Sequence, residues 1–170
     1  MARKADYIRK GGFGHHLHSD NLGAFVAGLK AGLIYNTWPL MGDKFIPDSV
    51  NFAIETMGWH GLIDNMSGVQ FVHRNLAYLV FFGVLFQAFF MWKNQRSGQA
   101  PLLPGQQHAI WAVTVFVVLQ FVLGIFTLLH KVPLALGVIH QAGALLLLGS
   151  QVYLLHRLTH VSIQEQSANQ

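Results

Sequence analysis

The chain has 170 residues, of which 52% are hydrophobic and only 11% are charged. A soluble domain carries about 25% charged residues, so this composition indicates an integral membrane protein. Residues 65–164 contain no acid, which excludes mechanisms that need paired carboxylates there. The absence of cysteine excludes disulfides, cysteine-ligated zinc, iron–sulfur clusters and thiol nucleophiles. The net charge is +4, but the cations lie mostly at the ends of apolar segments, so nucleic-acid binding is not expected.

The first predicted element, segment A, covers residues 22–34 and follows a polar, glycine-rich stretch, residues 1–21. Its 13 residues include Lys30 and fall short of the roughly 20 that a membrane span needs. Ala24, Gly28 and Gly32 recur at four-residue spacing, which either forms a close helix-packing face or merely accompanies a membrane segment. We therefore expect a short or irregular first helix, and a homodimer if this face pairs with a second copy.

Three longer apolar segments follow: B (residues 69–92), C (109–129) and D (133–155). They have 24, 21 and 23 residues, and each is long enough to cross a hydrocarbon core about 30 Å thick. The sequence therefore predicts an all-α, multi-pass membrane protein. Its four-helix bundle occupies residues 22–158, after the polar N-terminal segment and before a polar C-terminal tail, residues 159–170.

Lysine and arginine predict the orientation of this bundle. With the N-terminus inside, seven cations lie on the inner side and four on the outer side, which agrees with the positive-inside rule. The loop between segments A and B, residues 35–68, is then outside. Its aromatic residues suit a lid at the membrane interface: Trp38, Phe45, Phe52 and Trp59.

Two of the ten histidines lie inside apolar segments, namely His73 in segment B and His140 in segment D. Helical rise places them roughly 6 Å and 10 Å from the outer ends of segments that run in the same direction. An intramembrane histidine alone is best explained by a hydrogen bond to a neighbouring helix, but a pair at matched depth indicates a functional site. Zinc would want three or four ligands, whereas haem needs one or two axial ligands and an apolar pocket.

Three further residues are candidates for the same site. Arg74 follows His73 in a region without acids, so it should pair with an anion such as a haem propionate, unless it reaches a lipid phosphate. Gln70 and Gln141 lie close to the two histidines in sequence and are predicted to orient their ring nitrogens.

Three blocks of the chain resemble the haem A synthase family: GAFVAGLKAGLIYNTWPLMGDKFIPD (residues 23–48), VQFVHRNLAY (69–78) and LGIFTLLHKVPLALGVIHQAGALLLL (123–148). They occur in the order found in the C-terminal half of that family's eight-helix, internally duplicated protein. The resemblance covers about residues 22–158.

The resemblance implies that His73 and His140 match the two axial ligands of a bound haem b. The family oxidises the C8 methyl group of haem O to the formyl group of haem A, for cytochrome oxidase assembly. It thus implies an oxidoreductase of haem biosynthesis in a bacterial plasma membrane or mitochondrial inner membrane, with haem O as possible substrate and an unidentified electron donor.

Two departures from the family leave alternatives open. The family's N-terminal half, which carries the haem O site, is not represented here. In that half a glutamate precedes the first histidine by three residues, whereas the corresponding position in this chain is Gln70. The alternatives are a half-length enzyme working as a homodimer or with a separate N-terminal half, a non-catalytic haem-binding or electron-transfer module, and a truncated fragment.

Overall fold

The structure, a computed structural model, describes residues 29–98 and 102–168, with side chains described as far as residue 159. Its α-helices are α1 (Asp48–Met57), α2 (Met66–Arg96), α3 (Pro104–Leu129) and α4 (Leu134–Ala168). Two 3-10 turns, Ala31–Leu33 and Gly58–Leu62, complete the regular structure apart from one isolated β-bridge. The predicted all-α membrane fold is confirmed.

Helices α2, α3 and α4 correspond to segments B, C and D, and each is long and apolar enough to cross a membrane. Most of their large apolar side chains face outward, where lipid would cover them. Each helix also includes polar residues beyond the predicted segment. At the start of α2, for example, the side chain of Asn65 accepts a hydrogen bond from the Ser67 N–H and caps the helix. The protein is therefore a multi-pass integral membrane protein.

Segment A is described only from residue 29 onward, and the described part is irregular, as expected. Lys30 has a left-handed backbone with φ of 52°, and Ala31–Leu33 forms a single 3-10 turn. A left-handed residue interrupts α-helical hydrogen bonding, so no membrane helix continues to Ile34. Gly32 is buried within the chain and its carbonyl accepts a hydrogen bond from Asn36. Ala24 and Gly28 lie outside the described residues, and the homodimer stays a prediction.

The loop between segments A and B contains the short helix α1, which the sequence analysis did not anticipate. Helix α1 buries Val50 and Ala53. Just before it, Lys44 donates to both carboxylate oxygens of Asp48, at 2.8 and 2.7 Å, and this ion pair raises the pKa of Lys44. The four aromatic residues of the predicted lid, Trp38, Phe45, Phe52 and Trp59, are all exposed.

The three long helices form a layer with α3 in the middle. Helices α3 and α4 form an antiparallel hairpin through a tight turn. Helix α2 packs on the other side of α3 and makes few contacts with α4. We call the end of the layer that carries residues 35–65 the loop end, and the opposite end the far end. Helices α2 and α4 both run from the loop end to the far end.

The main apolar core lies at the far end, where all three helices contribute to it. Its buried members are small or aliphatic, namely Ala88, Ala109, Ile110, Val113 and Leu154. Close to this core, the Gln151 side chain donates a 2.9 Å hydrogen bond to the Gln87 side chain and joins α4 to α2. At the loop end, by contrast, α2 packs against residues of the loop. The far end is therefore stabilised by contacts among the three long helices, and the loop end of α2 by contacts with the loop.

Helix α4 continues to Ala168, through most of the region predicted as a polar tail. The candidate membrane span within this helix covers Leu134–Thr159 of the described residues. Polarity alone does not end a helix, because the backbone hydrogen bonds are made within the helix whatever surrounds it.

Candidate functional site

The two intramembrane histidines lie on α2 and α4 at matched depth. His73 is seven residues into α2 and His140 six residues into α4, so each is about 10 Å from the start of its helix. Both are partly buried. Since α2 and α4 pack on α3 more than on each other, the histidines lie on the two outer helices, and we call the region between them, beside α3, the groove.

Aromatic residues join α2 to α3 further along α2 than His73. The Phe81 and Phe121 rings stack with centroids 4.2 Å apart, and Tyr78 lies 5.7 Å from Phe121. These rings give the contact between α2 and α3 an apolar, aromatic surface.

A third residue, Gln120 on α3, contacts His140 directly. Its amide nitrogen lies 3.1 Å from Nδ1 of His140 and donates to the His140 backbone carbonyl at 2.9 Å. Its amide oxygen Oε1 is buried, and no described residue donates to it. Gln120 was not predicted from the sequence, because it lies 20 residues from His140 in the chain. The available signal was a lone amide in an otherwise apolar span.

The His140 ring and the Gln120 amide fit together because two glycines leave room for them. A Cβ atom at Gly124 would lie 2.9 Å from Cε1 of His140. A Cβ at Gly143 would collide with Oε1 of Gln120. A side chain at either glycine would therefore disturb the contact between α3 and α4 at these two polar side chains.

Arg74 and Gln70 form a clamp on the loop. Arg74 donates through Nη2 to the Tyr35 carbonyl at 2.8 Å and through Nη1 to the Leu40 carbonyl at 3.2 Å. The Gln70 amide nitrogen donates to the same Tyr35 carbonyl at 2.9 Å. Arg74 is only 9% exposed and Gln70 only 2% exposed, so this clamp is well shielded from solvent.

The described contacts of the clamp differ from the roles predicted for its residues. Neither Gln70 nor Arg74 contacts an imidazole, and backbone carbonyls receive the Arg74 hydrogen bonds. Arg74 Nε and Gln70 Oε1 are buried without a described partner, so both side chains keep unused hydrogen-bonding capacity. The structure places Gln141 on an exposed part of α4, and the amide beside the His140 ring is that of Gln120.

The other four histidines with described side chains lie elsewhere. His60 pairs with Asp64 in the loop at 3.3 Å, and His130 contacts the Phe126 carbonyl, whereas His108 and His156 are exposed near the far end. Within the described part of the chain no three histidine or acidic side chains converge as a metal site.

Residues 15–152 match the family described as cytochrome oxidase assembly protein. The chain belongs to that family. Its match covers α1, α2, α3 and most of α4, and it includes both histidines of the groove and Gln120.

Several family members named as haem A synthases are similar to this chain. The chain is 50% identical over 138 residues to the one from Flavobacterium johnsoniae, covering 81% of this chain and 38% of that protein. It is 46% identical over 138 residues to the one from Parvibaculum lavamentivorans, with 81% and 36% covered. The Bartonella henselae protein is 45% identical over 128 residues, with 74% and 33% covered. The chain thus spans well under half the length of these relatives, and no solved structure matches it.

Proposed function

We propose that this chain acts in haem A biosynthesis and that its groove holds a b-type haem between His73 and His140. The observation that carries the proposal is the pair of imidazoles at matched depth on α2 and α4, above α3. The haem A synthases that share 45–50% identity with the chain support the pathway. Their bacterial origin favours the plasma membrane as its location.

The residues present fit such a group. Two neutral imidazoles suffice as axial ligands, and no third metal-binding side chain is needed. Gln120 contacts the His140 ring at Nδ1 and the His140 backbone carbonyl, so the opposite ring nitrogen, Nε2, is left uncontacted by it. The stacked rings of Phe81 and Phe121 would add apolar surface to the same pair of helices, α2 and α3.

Each part of the site then has a distinct task. A bound haem would supply one-electron transfer at its iron. His73 and His140 would hold it, and Gln120 would orient the His140 ring. Gln70 and Arg74, which flank His73 in the sequence, bind the backbone of residues 35–40 at the loop end. These loop residues would limit the access of water to the groove from that end.

A second candidate function is a non-catalytic haem-binding or electron-transfer module. The observation in its favour is Gln70, a neutral amide where the resemblance places a glutamate in the catalytic half. The Gln70 amide N–H donates to the Tyr35 carbonyl, and residues 65–164, which include Gln70, contain no carboxylate that could replace a catalytic glutamate. In this case haem O would not be turned over, and oxidation would belong to another polypeptide or domain.

Two measurements on the purified full chain separate these functions. After expression in a haem-replete membrane, a pyridine haemochrome spectrum should identify haem b near one equivalent per chain. Incubation with haem O and a reductant, followed by chromatography of extracted haems, should then yield haem A if the chain is catalytic. Haem b without haem A would favour the module, and the absence of any haem would refute both proposals.

A further inference from the structure

The guanidinium of Arg157 lies against the backbone of α3 at the far end. A Cβ atom added at Gly105, the second residue of α3, would collide with Nη2 of Arg157, so the guanidinium packs directly over this glycine. Close by, the Gln106 amide nitrogen donates to the Arg157 carbonyl at 3.3 Å, and the Gln106 amide oxygen accepts from the Leu103 N–H at 3.0 Å. The start of α3 therefore contacts both the backbone and the side chain of Arg157.

This guanidinium has no counter-ion among the described residues. Its Nε is buried without a partner, and no described residue accepts a hydrogen bond from its Nη groups. Residues 65–164 contain no acid. The next acid along α4, Glu165, is eight residues further, whereas neighbours on one helix face are three or four residues apart. Since a buried donor without an acceptor is costly, we expect Arg157 to take its anion from outside the chain.

The depth of Arg157 in the membrane indicates which anions it can meet. Arg157 lies 23 residues after Leu134, or about 35 Å along α4, whereas a hydrocarbon core is about 30 Å thick. Arg157 is therefore at the level of the lipid headgroups at the far end. Phosphate groups are the anions at this level, and an arginine can bind a phosphate through two parallel N–H groups.

We propose that Arg157 and Gly105 form a binding site for the phosphate of an anionic phospholipid, in the leaflet at the far end. Gly105 leaves room for the guanidinium over α3, and Gln106 joins the start of α3 to α4 at the same level. Basic sites between transmembrane helices on the inner side of a membrane bind such headgroups. The site lies at the opposite end of α4 from His140, so it goes beyond the proposed function and does not depend on haem.

Native mass spectrometry of the purified full chain in mild detergent tests this site with two defined lipids. Dioleoylphosphatidylglycerol is anionic, and dioleoylphosphatidylcholine has the same acyl chains but no net charge. The wild type should bind its first phosphatidylglycerol about tenfold more tightly than its first phosphatidylcholine, because a charged hydrogen-bond pair is gained. Arg157→Gln should lose most of this preference. Arg96→Gln, which removes the same charge from the last turn of α2, should keep it.

Gly105→Ala tests the same site without removing a charge. The added methyl group displaces the guanidinium, which is the flexible end of a long side chain, so the variant should fold while its preference for phosphatidylglycerol falls. Gly149→Ala is the matched control, because an added Cβ there meets nothing within 4 Å. If Arg157→Gln does not fold, the comparison of Gly105→Ala with Gly149→Ala decides.

Three results would overturn the proposal. The first is equal binding of the two lipids by the wild type. The second is an equal loss of preference in Arg157→Gln and Arg96→Gln, which would indicate a general effect of charge at the far end. The third is inorganic phosphate that competes as well as phosphatidylglycerol itself, since the site would then bind a free anion rather than a lipid. None of these results depends on haem, so each would leave the proposed function standing.

Discussion

The two histidines of the groove differ from the other described histidines in depth and surroundings, and this difference makes a residue-level prediction. We expect His73→Ala and His140→Ala each to abolish the low-spin spectrum of the reduced protein or convert it to high-spin, because one axial ligand is lost. His108→Ala is the matched control, since His108 lies exposed near the far end. A wild-type spectrum in either groove variant would rule out that residue as a ligand.

Arg74 makes a second residue-level prediction, because its described partners are loop carbonyls. Removing a charged hydrogen-bond donor costs about 1.5–3 kcal/mol. A cost near 2 kcal/mol corresponds to a roughly 30-fold rise in loop opening. We therefore expect Arg74→Ala to accelerate trypsin cleavage after the exposed Lys44 by about that factor in mild detergent.

The control for this experiment is Arg96→Ala, which removes the same charge from the last turn of α2 and no described loop contact. Cleavage after Lys44 should be unchanged in that variant. If Arg74→Ala instead loses haem while Lys44 stays protected, the propionate role predicted from the sequence would be the better account of Arg74.

At the level of elements, the junction between α1, the second 3-10 turn and α2 depends on two glycines. A Cβ at Gly68 would collide with the Gly61 carbonyl, and a Cβ at Gly61 would collide with the Ala53 carbonyl. Backbone atoms cannot move aside as a flexible side chain can. Gly68→Ala should therefore destabilise the loop end by about 1–3 kcal/mol and lower the Tm of the chain.

Gly83→Ala is the matched control for that prediction, because it makes the same change in the same helix with nothing within 4 Å of the added atom. Its Tm should equal or slightly exceed that of the wild type. Equal melting temperatures for the two variants would show that the Gly61–Gly68 contact does not limit stability.

The three long helices were predictable because unbroken apolar runs of more than 20 residues have few other structural solutions. The ends of these helices were less predictable. A capping residue such as Asn65 and a polar last turn belong to the helix but lie outside the apolar run from which the helix was predicted. Helix α1 could not be predicted from an apolar run, because it mixes two acids and other polar residues with one exposed aromatic residue, Phe52.

The residues of the candidate site were likewise only partly predictable from the sequence. His73 and His140 could be singled out because histidine is rare at that depth in a membrane. The partner of the His140 ring could not, because the contact to Gln120 depends on the register between α3 and α4, which two glycines set. The same holds for Arg74, whose hydrogen bonds cross 34 and 39 residues of chain.

At the scale of the whole molecule, charge distinguishes the two ends. The described far end carries Lys93, Arg96 and Arg157 and no acid. The loop end mixes cations with acids: Asp43, Asp48, Glu55 and Asp64. The positive-inside rule therefore predicts that the far end faces the inner side of the membrane.

Single cysteines can test this orientation in a chain that has none of its own. A membrane-impermeant maleimide should label Glu55→Cys in intact cells, because Glu55 is exposed on α1. Ser97→Cys, at the end of α2, should be labelled only after the cells are broken. Labelling of Ser97→Cys in intact cells would reverse the orientation.

The far-end core has a consequence for the order of assembly. Ala88, Ala109, Ile110, Val113 and Leu154 come from all three long helices and lie apart from the histidines, so this core can form without a ligand between the histidines. On the proposed function, we therefore expect the three helices to assemble first and haem to enter afterwards. A cell short of haem should then accumulate assembled chains without haem rather than unfolded ones.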